Sequence, residues 1–182
     1  MADEPSYPRK LEHVARDIGR VIWCALGAAT GIGLILRFVD PPHSPLLLAS
    51  LGGSAVFLFG LTRAPAAQPR ALFGGHLGGA LIGILCFQAF GNADWVYVVA
   101  VVLTLVFMLV TKTVHPPAGA NPLIMVHAHA DLSALWHPVV LCVLVLAVVA
   151  AVWSRIGPRM VHYPNKWFDK SPPTVLWGGW LE

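Results

Sequence analysis

Charged residues are scarce in this chain. Only 12% of its 182 residues are charged and 57% are hydrophobic, whereas soluble domains carry about 25% charged residues. Asp94 is the one charged residue in 71–111, and Asp131 is the one charged residue in 113–154. A soluble core does not need apolar runs of this length. The scarcity of charge therefore excludes a soluble globular domain and predicts an integral membrane protein.

Cysteine and catalytic motifs are also scarce. The three cysteines stand alone in apolar runs, which predicts packing residues rather than disulfides or metal ligands: Cys24, Cys86 and Cys142. No nucleophile elbow, phosphate loop or dinucleotide fingerprint is present, so we expect neither an enzyme nor a cofactor. The late histidines lack the spacing of a compact helical metal pair, and we expect no metal site: His127, His129 and His137. The net charge of +3 comes from basic residues near the ends of apolar runs, which favours membrane orientation over nucleic-acid binding.

The apolar runs predict an all-α polytopic membrane protein. Four segments are near the roughly 20 residues that cross a bilayer as a helix: 19–36, 71–90, 95–110 and 135–156. Two shorter segments, 45–61 and 117–129, are broken by proline or glycine. If these also cross, only Arg37 among the 12 Lys and Arg residues lies outside. The positive-inside rule therefore predicts about six passes with both termini in the cytoplasm.

The polar segment 1–18 lacks the features of a signal peptide, so we expect the first span to be retained. We expect a cytoplasmic N-terminal segment 1–18, one transmembrane domain 19–157 and a cytoplasmic tail 158–182. The tail's aromatic residues predict that it lies along the membrane surface: Trp167, Phe168, Trp177 and Trp180. A bacterial inner membrane is the simplest location.

The six passes divide into two halves, 19–90 and 95–157. Each half runs long span, short broken span, long span, and an odd number of crossings gives the halves opposite orientations. The broken segments also align, with Gly52-Gly53-Ser54-Ala55 against Gly119-Ala120-Asn121-Pro122. Broken helices at matching positions of inverted repeats indicate the binding site of a transporter.

Helix N-termini suggest the chemistry of that site. Ser54 and Asn121 are good N-cap residues, and Pro122 suits a first helical position. Two helices starting near mid-membrane would present free N–H groups to each other, which forms a site for a small anion. The predicted binding residues are Gly52, Gly53, Ser54, His115, Pro116, Pro117, Gly119, Ala120 and Asn121.

Other residues are candidates for the path of the anion. His76 lies at membrane depth within the third span, where polar residues are usually functional or paired. A basic cytoplasmic mouth is predicted from Gln68, Arg70 and Lys112. The alternative for small residues is close helix packing, which we expect for Gly74, Gly75, Gly78, Gly79 and Gly83.

Four ordered motifs resemble the HPP family of integral membrane proteins. The name-giving motif is His115-Pro116-Pro117-Ala118-Gly119-Ala120, and the others are Gly52-Gly53-Ser54-Ala55-Val56, Ala67-Gln68-Pro69-Arg70 and Gly74-Gly75-His76. A late Tyr163-Pro164-Asn165-Lys166-Trp167 also resembles the family. Gly53 stands where the family pattern has alanine, and Asn121-Pro122 replaces a threonine-alanine pair.

The resemblance implies nitrite transport, which is reported for plastid and cyanobacterial members. The helix N-termini alone fit nitrite, nitrate, formate or chloride equally well. We therefore expect a transporter or channel for a small inorganic anion, most of all nitrite, working in the lipid bilayer as a homo-oligomer. Two alternatives stay open: a membrane scaffold or sensor subunit, and a membrane enzyme or metal carrier that uses the late histidines.

Overall fold

The computed structural model describes residues 7–39, 45–157 and 160–173, and within these ranges the chain is helical with no strand. Six α-helices follow one another: α1 Tyr7–Phe38, α2 Pro45–Ala55, α3 Pro69–Phe90, α4 Asp94–Thr111, α5 Asn121–His127 and α6 Leu141–Ile156. Shorter helical segments adjoin or separate them: a π-helix Val56–Gly60 after α2, 3-10 helices Pro65–Ala67 and Pro116–Ala120, and a π-helix Leu135–Val140 before α6. The predicted all-α class is confirmed.

Four helices in the described part of the chain are long and apolar enough to cross a membrane, as the sequence predicted. They are Val14–Phe38, Pro69–Phe90, Asp94–Thr111 and Leu135–Ile156. The segment Leu47–Gly60 is apolar but shorter. The chain is therefore a multi-pass membrane protein. The span Leu135–Ile156 has the predicted ends, and the other three spans begin or end a few residues from the predicted positions.

Local sequence explains where the helices next to the predicted site begin and end. Pro69 opens α3 at a position where its missing N–H is not needed. Gly91 ends α3 with φ of 75°, in the left-handed region that glycine adopts without strain. Lys112 ends α4 in the left-handed conformation, and its N–H bonds the carbonyl of Leu109.

The third helix is the centre of the bundle. Of the 18 most apolar consecutive residues of each span, 56% are buried in α3, against 17% in α1 and 22% in α4. It packs against α4, α5 and the 3-10 segment Pro116–Ala120, while α1 packs mainly against α6. A polar residue in the middle of α3 is therefore shielded from both lipid and water.

The cysteines pack as predicted. Cys86 and Cys142 are buried and Cys24 is half-buried, all as free thiols. Cys142 belongs to the main apolar core, and Cys86 belongs to a smaller cluster between α3, α4 and α5.

The C-terminal segment 160–173 lies across one end of the bundle, which we call the Arg70 end. Ser171 donates its backbone N–H to the Lys112 carbonyl, and Val114 donates to the Ser171 carbonyl. Trp167 and Phe168 are exposed there; Trp177 and Trp180 lie outside the described residues. The opposite end, which carries Asn92 and residues 128–134, is called the Asn92 end.

Candidate functional site

The two short interrupted segments meet beside α3, as the sequence predicted. Ser50 of α2 donates its hydroxyl to the Asn121 Oδ1 atom at 2.8 Å or to the Pro117 carbonyl at 2.9 Å. A Cβ placed on Gly53 would lie 3.0 Å from the Cβ of Pro117. The segments are therefore in direct contact.

Glycines on α3 allow the His115–Pro122 segment to approach the helix backbone. A Cβ on Gly75 would lie 3.0 Å from the Cβ of His115, and one on Gly79 would lie 3.0 Å from the Ala118 carbonyl oxygen. A Cβ on Gly83 would lie only 2.6 Å from the Cα of Pro122. Gly74 and Gly78 pack in the same way, against Thr113 and Phe107. The predicted packing role of the α3 glycines is confirmed.

At this contact, polar side chains form a closed and fully buried hydrogen-bond network. The Oγ atom of Ser54 lies 2.8 Å from His76 Nε2 and 2.9 Å from His115 Nε2. Asn121 Nδ2 lies 2.9 Å from His76 Nδ1 and 3.0 Å from the His76 carbonyl oxygen. We call these four side chains and Ser50 the polar network. All five have at most 2% of their surface exposed.

The positions of the hydrogens follow from the carbonyl groups, which only accept. Because the His76 carbonyl must accept from Asn121 Nδ2, the amide nitrogen also donates to His76 Nδ1, and neutral His76 carries its proton on Nε2. The Ala66 carbonyl accepts from His115 Nδ1 at 2.6 Å, so His115 carries a proton on Nδ1. Ser54 then accepts from His76 Nε2 and donates to His115 Nε2. The bonds run in one direction from Asn121 to Ala66.

The predicted N-caps are wrong. Ser54 lies in the last turn of α2, which runs unbroken through Gly52 and Gly53, so no helix begins there. Asn121 does begin α5, but its side chain bonds Ser50 and His76 and caps no N–H group. The two helix N-termini therefore do not face each other, and side chains rather than helix ends supply the polar groups.

The remaining predicted binding residues surround the polar network. Pro116 is exposed and Ala120 is half-buried. Gly52 and Gly119 are half-buried, and a Cβ on either would meet nothing within 4 Å. Open space therefore adjoins both of these glycines.

Gln68 and Arg70 bond neighbouring backbone at the Arg70 end. Gln68 is 1% exposed, and its Oε1 accepts the backbone N–H groups of Asn165 and Lys166. The guanidinium of Arg70 donates to the Thr111 carbonyl at 2.7 Å. These contacts hold the C-terminal segment and α4 in place, and a part in the path of an anion stays a prediction.

The late histidines lie away from the polar network, at the Asn92 end. His129 stacks on Phe87 and lies 2.8 Å from the amide nitrogen of Asn92. His129, His137 and Asp131 line a cavity of about 290 Å³. Hydrogen bonds from the hydroxyl and backbone N–H of Ser133 lower the pKa of Asp131. Among the described residues, no group of three or more His, Cys, Asp or Glu could hold a metal ion.

Sequence reasoning missed two groups at the polar network, the Ser50 side chain and the Ala66 carbonyl. Ser50 precedes Ser54 by four residues, so both lie on one face of α2. That spacing of two serines in an apolar helix could have indicated Ser50. The Ala66 carbonyl, which fixes the tautomer of His115, has no sequence signal because backbone acceptors are present at every residue.

The fold and the site define a multi-pass helical membrane protein in which the first residue of a His-Pro-Pro segment, His115, belongs to a buried polar network. The chain belongs to the HPP family, whose transmembrane region matches residues 13–164. The family resemblance noted in the sequence is thus confirmed.

Two proteins of Dictyostelium discoideum, both named only as transmembrane proteins, are similar to this chain. One is 29% identical over 165 residues, covering 84% of this chain and 57% of the relative. The other is 36% identical over 121 residues, covering 62% of this chain and 39% of the relative. The chain thus spans little more than half of one relative and less than half of the other. No solved structure matches the chain.

Proposed function

We propose that the protein carries a small inorganic anion, nitrite first, across the membrane at the contact between α2 and α5. The observation that carries this proposal is the polar network, buried at the centre of a membrane bundle. Polar side chains at such depth are costly and usually mark a transport path. Its position where two interrupted segments meet is the usual position of a transporter site.

An anion fits this site better than a cation. The network holds N–H and O–H donors on Asn121, His76 and Ser54. Within the described ranges, no Asp or Glu side chain bonds to the network. The two ion pairs of these ranges belong to Asp17 and Asp169 and lie outside the network. Nitrate, formate and chloride have the same charge as nitrite, and the family resemblance is what favours nitrite among them.

In this proposal, the conformation seen in the structure is one in which the anion site is closed. Every donor of the network is bonded to another group of the protein. An anion can bind only when α2 and the Pro116–Ala120 segment separate and release these donors. Gly52 and Gly119 leave open space beside the contact, so the separation needs no bulky side chain to move there.

The topology proposed for this function is six passes in two inverted halves, 19–90 and 95–157, with both termini in the cytoplasm. Arg70 bonds the end of α4 directly before Lys112, which supports a shared basic face at the Arg70 end. Asp94 begins α4 at the opposite end of that helix from Lys112. We further propose a bacterial inner membrane and a homo-oligomer, in which exposed apolar residues of α1 and α4 face lipid or a second copy.

The test is nitrite uptake into proteoliposomes, with nitrate, formate and chloride as competitors. We expect saturable uptake by the wild type and loss of uptake in Asn121→Leu. Leucine leaves His76 Nδ1 and the His76 carbonyl without their donor, so stability should also fall, by about 2 kcal/mol. Thr30→Ala is the matched control because, among the described residues, the Thr30 hydroxyl bonds only the Leu26 carbonyl of its own helix, on an exposed face.

Folding must be checked separately, by size-exclusion chromatography and by thermal unfolding in detergent. Asn121→Leu protein that is folded and still takes up nitrite normally would remove this site from consideration. Wild-type protein that is folded but moves no anion would remove the transport proposal.

A membrane scaffold or sensor subunit is the second candidate. It is favoured by the complete pairing of the polar network, which is also what a purely structural tie between short helices requires. Under this alternative, Asn121→Leu lowers stability in the same way, but neither the wild type nor Thr30→Ala transports any anion.

A further inference from the structure

We propose that His115 is the single proton acceptor of the polar network, that the Ser54 hydroxyl is its switch, and that the anion therefore crosses together with one proton. The transport half of this inference rests on the function proposed above. The proton half concerns only the network and can be tested without any flux.

In the neutral arrangement, the Ser54 hydroxyl points at His115. Its oxygen accepts the Nε2 proton of His76 at 2.8 Å, and its hydrogen goes to His115 Nε2 at 2.9 Å. A second acceptor lies within reach of the same hydroxyl, because the Ser50 carbonyl is 3.1 Å from Ser54 Oγ.

Addition of one proton to His115 Nε2 needs no heavy atom to move. The proton binds the nitrogen lone pair, and the new N–H donates to Ser54 Oγ. The Ser54 hydroxyl turns from His115 to the Ser50 carbonyl, while its oxygen still accepts from His76 Nε2. Every polar group keeps a partner, and the network has gained one positive charge.

His76 has no comparable freedom. Its Nδ1 faces the amide nitrogen of Asn121, which is fixed as a donor because it also bonds the His76 carbonyl. A proton on Nδ1 would point at an N–H group. The network therefore takes up one proton, on His115, and not two.

The charges around His115 leave room for an anion as counter-ion. No titratable side chain lies in Leu47–Gly60 or in the Pro116–Ala120 segment, and on α3 the ring of His76 lies beside that of His115. At the Arg70 end, Arg70 bonds the Thr111 carbonyl. The remaining charged groups of the packed elements lie half-buried or exposed outside the network: Arg63, Lys112, Asp94, His127, Lys166, Asp169 and Lys170.

Since no carboxylate in the described part of the chain bonds to His115, a bound anion is the partner that neutralises its protonated form. An unpaired charge at this depth in a membrane is costly, whereas an anion and a protonated imidazole form a neutral pair.

The flux experiment measures the initial rate of nitrite uptake, with protein-free liposomes subtracted. We expect an acidic exterior to accelerate uptake, and a potassium diffusion potential of about 100 mV to leave the rate unchanged because the transported pair is neutral. A lone monovalent anion would instead have its distribution changed about 50-fold by that potential. Uptake that follows the potential and ignores the pH gradient would overturn the proton inference and leave anion transport standing.

Two serine variants isolate the switch. Ser54→Ala removes the hydroxyl between the histidines and should abolish the dependence on the pH gradient. Ser50→Ala keeps the backbone carbonyl that serves as the second acceptor, so the dependence should persist even if the rate falls. Ser54→Thr keeps the hydroxyl and should restore the dependence. Equal pH dependence in Ser54→Ala and Ser50→Ala would refute the switch.

Solid-state ¹⁵N NMR of labelled histidines in liposomes tests the proton site directly. Near neutral pH, His115 should carry its proton on Nδ1 and His76 on Nε2. On acidification, a second proton should appear on His115 and none on His76. If the signal of the second proton is lost in folded His115→Gln protein, it belongs to His115. In the control His129→Gln, which changes an exposed histidine, the signal should remain. Protonation of His76 before His115, or the same tautomer in both rings, would contradict the proposal. This test is valid even if the protein transports no anion.

Discussion

The segments around Ser54 and Asn121 both have two small residues before a polar one, but they are interrupted on opposite sides of that polar residue. In α2 the helix passes through Gly52 and Gly53 and changes to a π-helix only after Ala55. In α5 the irregular 3-10 turns come first and the α-helix begins at Asn121. The polar residues Ser54 and Asn121 therefore belong to the end of one helix and to the start of the other.

Proline rather than glycine explains this difference. Proline disfavours helical angles in the residue before it, and His115, which precedes Pro116, is extended with φ of −127°. Glycine inside a helix costs only about 1 kcal/mol relative to alanine, which packing of an apolar segment easily offsets. Gly53 thus permits a close approach to Pro117 without interrupting α2.

The largest predicted effect comes from placing a proline where α2 has none. Ala55 aligns with Pro122, but in the structure it is the last residue of an unbroken helix. A proline there removes an N–H group from the helix and clashes with the carbonyl of residue 51, which costs about 3 kcal/mol. We expect Ala55→Pro to lower the unfolding temperature strongly in detergent. A thiol-reactive dye can report unfolding, because Cys86 and Cys142 are buried.

A control for this change is Ala55→Ser, which keeps the helical N–H. If Ala55→Pro were as stable as Ala55→Ser, then α2 would already be interrupted at this position and the two segments would be alike after all.

A smaller effect is predicted for the packing of α5 on α3. In Gly83→Ala the new methyl group would lie 2.6 Å from the Cα and 2.7 Å from the carbonyl oxygen of Pro122. Since these are backbone atoms, they cannot move aside without shifting α5, and we expect a loss of about 2 kcal/mol from overpacking. The same dye assay measures it.

Gly52→Ala is the matched variant on α2. Its added methyl group meets nothing within 4 Å, so the unfolding temperature should be unchanged or slightly raised by the better helix propensity. Equal destabilisation by the two alanines would show that α2 is packed as closely as α5.

Much of the fold could be predicted from the sequence because it depends on composition along the chain. The four long spans, the packing cysteines and the glycine face of α3 all follow from apolar runs and small residues. The contact between the two broken segments was predicted from their matching positions in the two halves. These features need no knowledge of individual hydrogen bonds.

The details of the site could not be predicted in the same way. Ser54 has the side chain of an N-cap, but whether a helix begins there depends on tertiary packing that the local sequence does not contain. Likewise, His76 and His115 are 39 positions apart by their numbers, and only the path of α3 and the His-Pro-Pro segment brings both within 3 Å of one hydroxyl. Asn121 was placed correctly at a helix start for a reason that proved wrong.

An effect smaller than that of Ala55→Pro or Gly83→Ala is predicted for the reverse exchange, Pro122→Ala, which separates the roles of the prolines. Asn121 precedes Pro122 and still has helical angles, φ of −58° and ψ of −43°, which proline disfavours in its predecessor. Removing the ring relieves that conflict, while the loss of buried ring atoms beside Gly79 and Gly83 weakens packing. Because the two effects oppose each other, we expect a net change of less than about 1 kcal/mol. Hydrogen exchange at residues 121–127 should show α5 intact, since His115 and Pro116, and not Pro122, set the interruption; protection lost along α5 in Pro122→Ala would instead assign the start of the helix to Pro122.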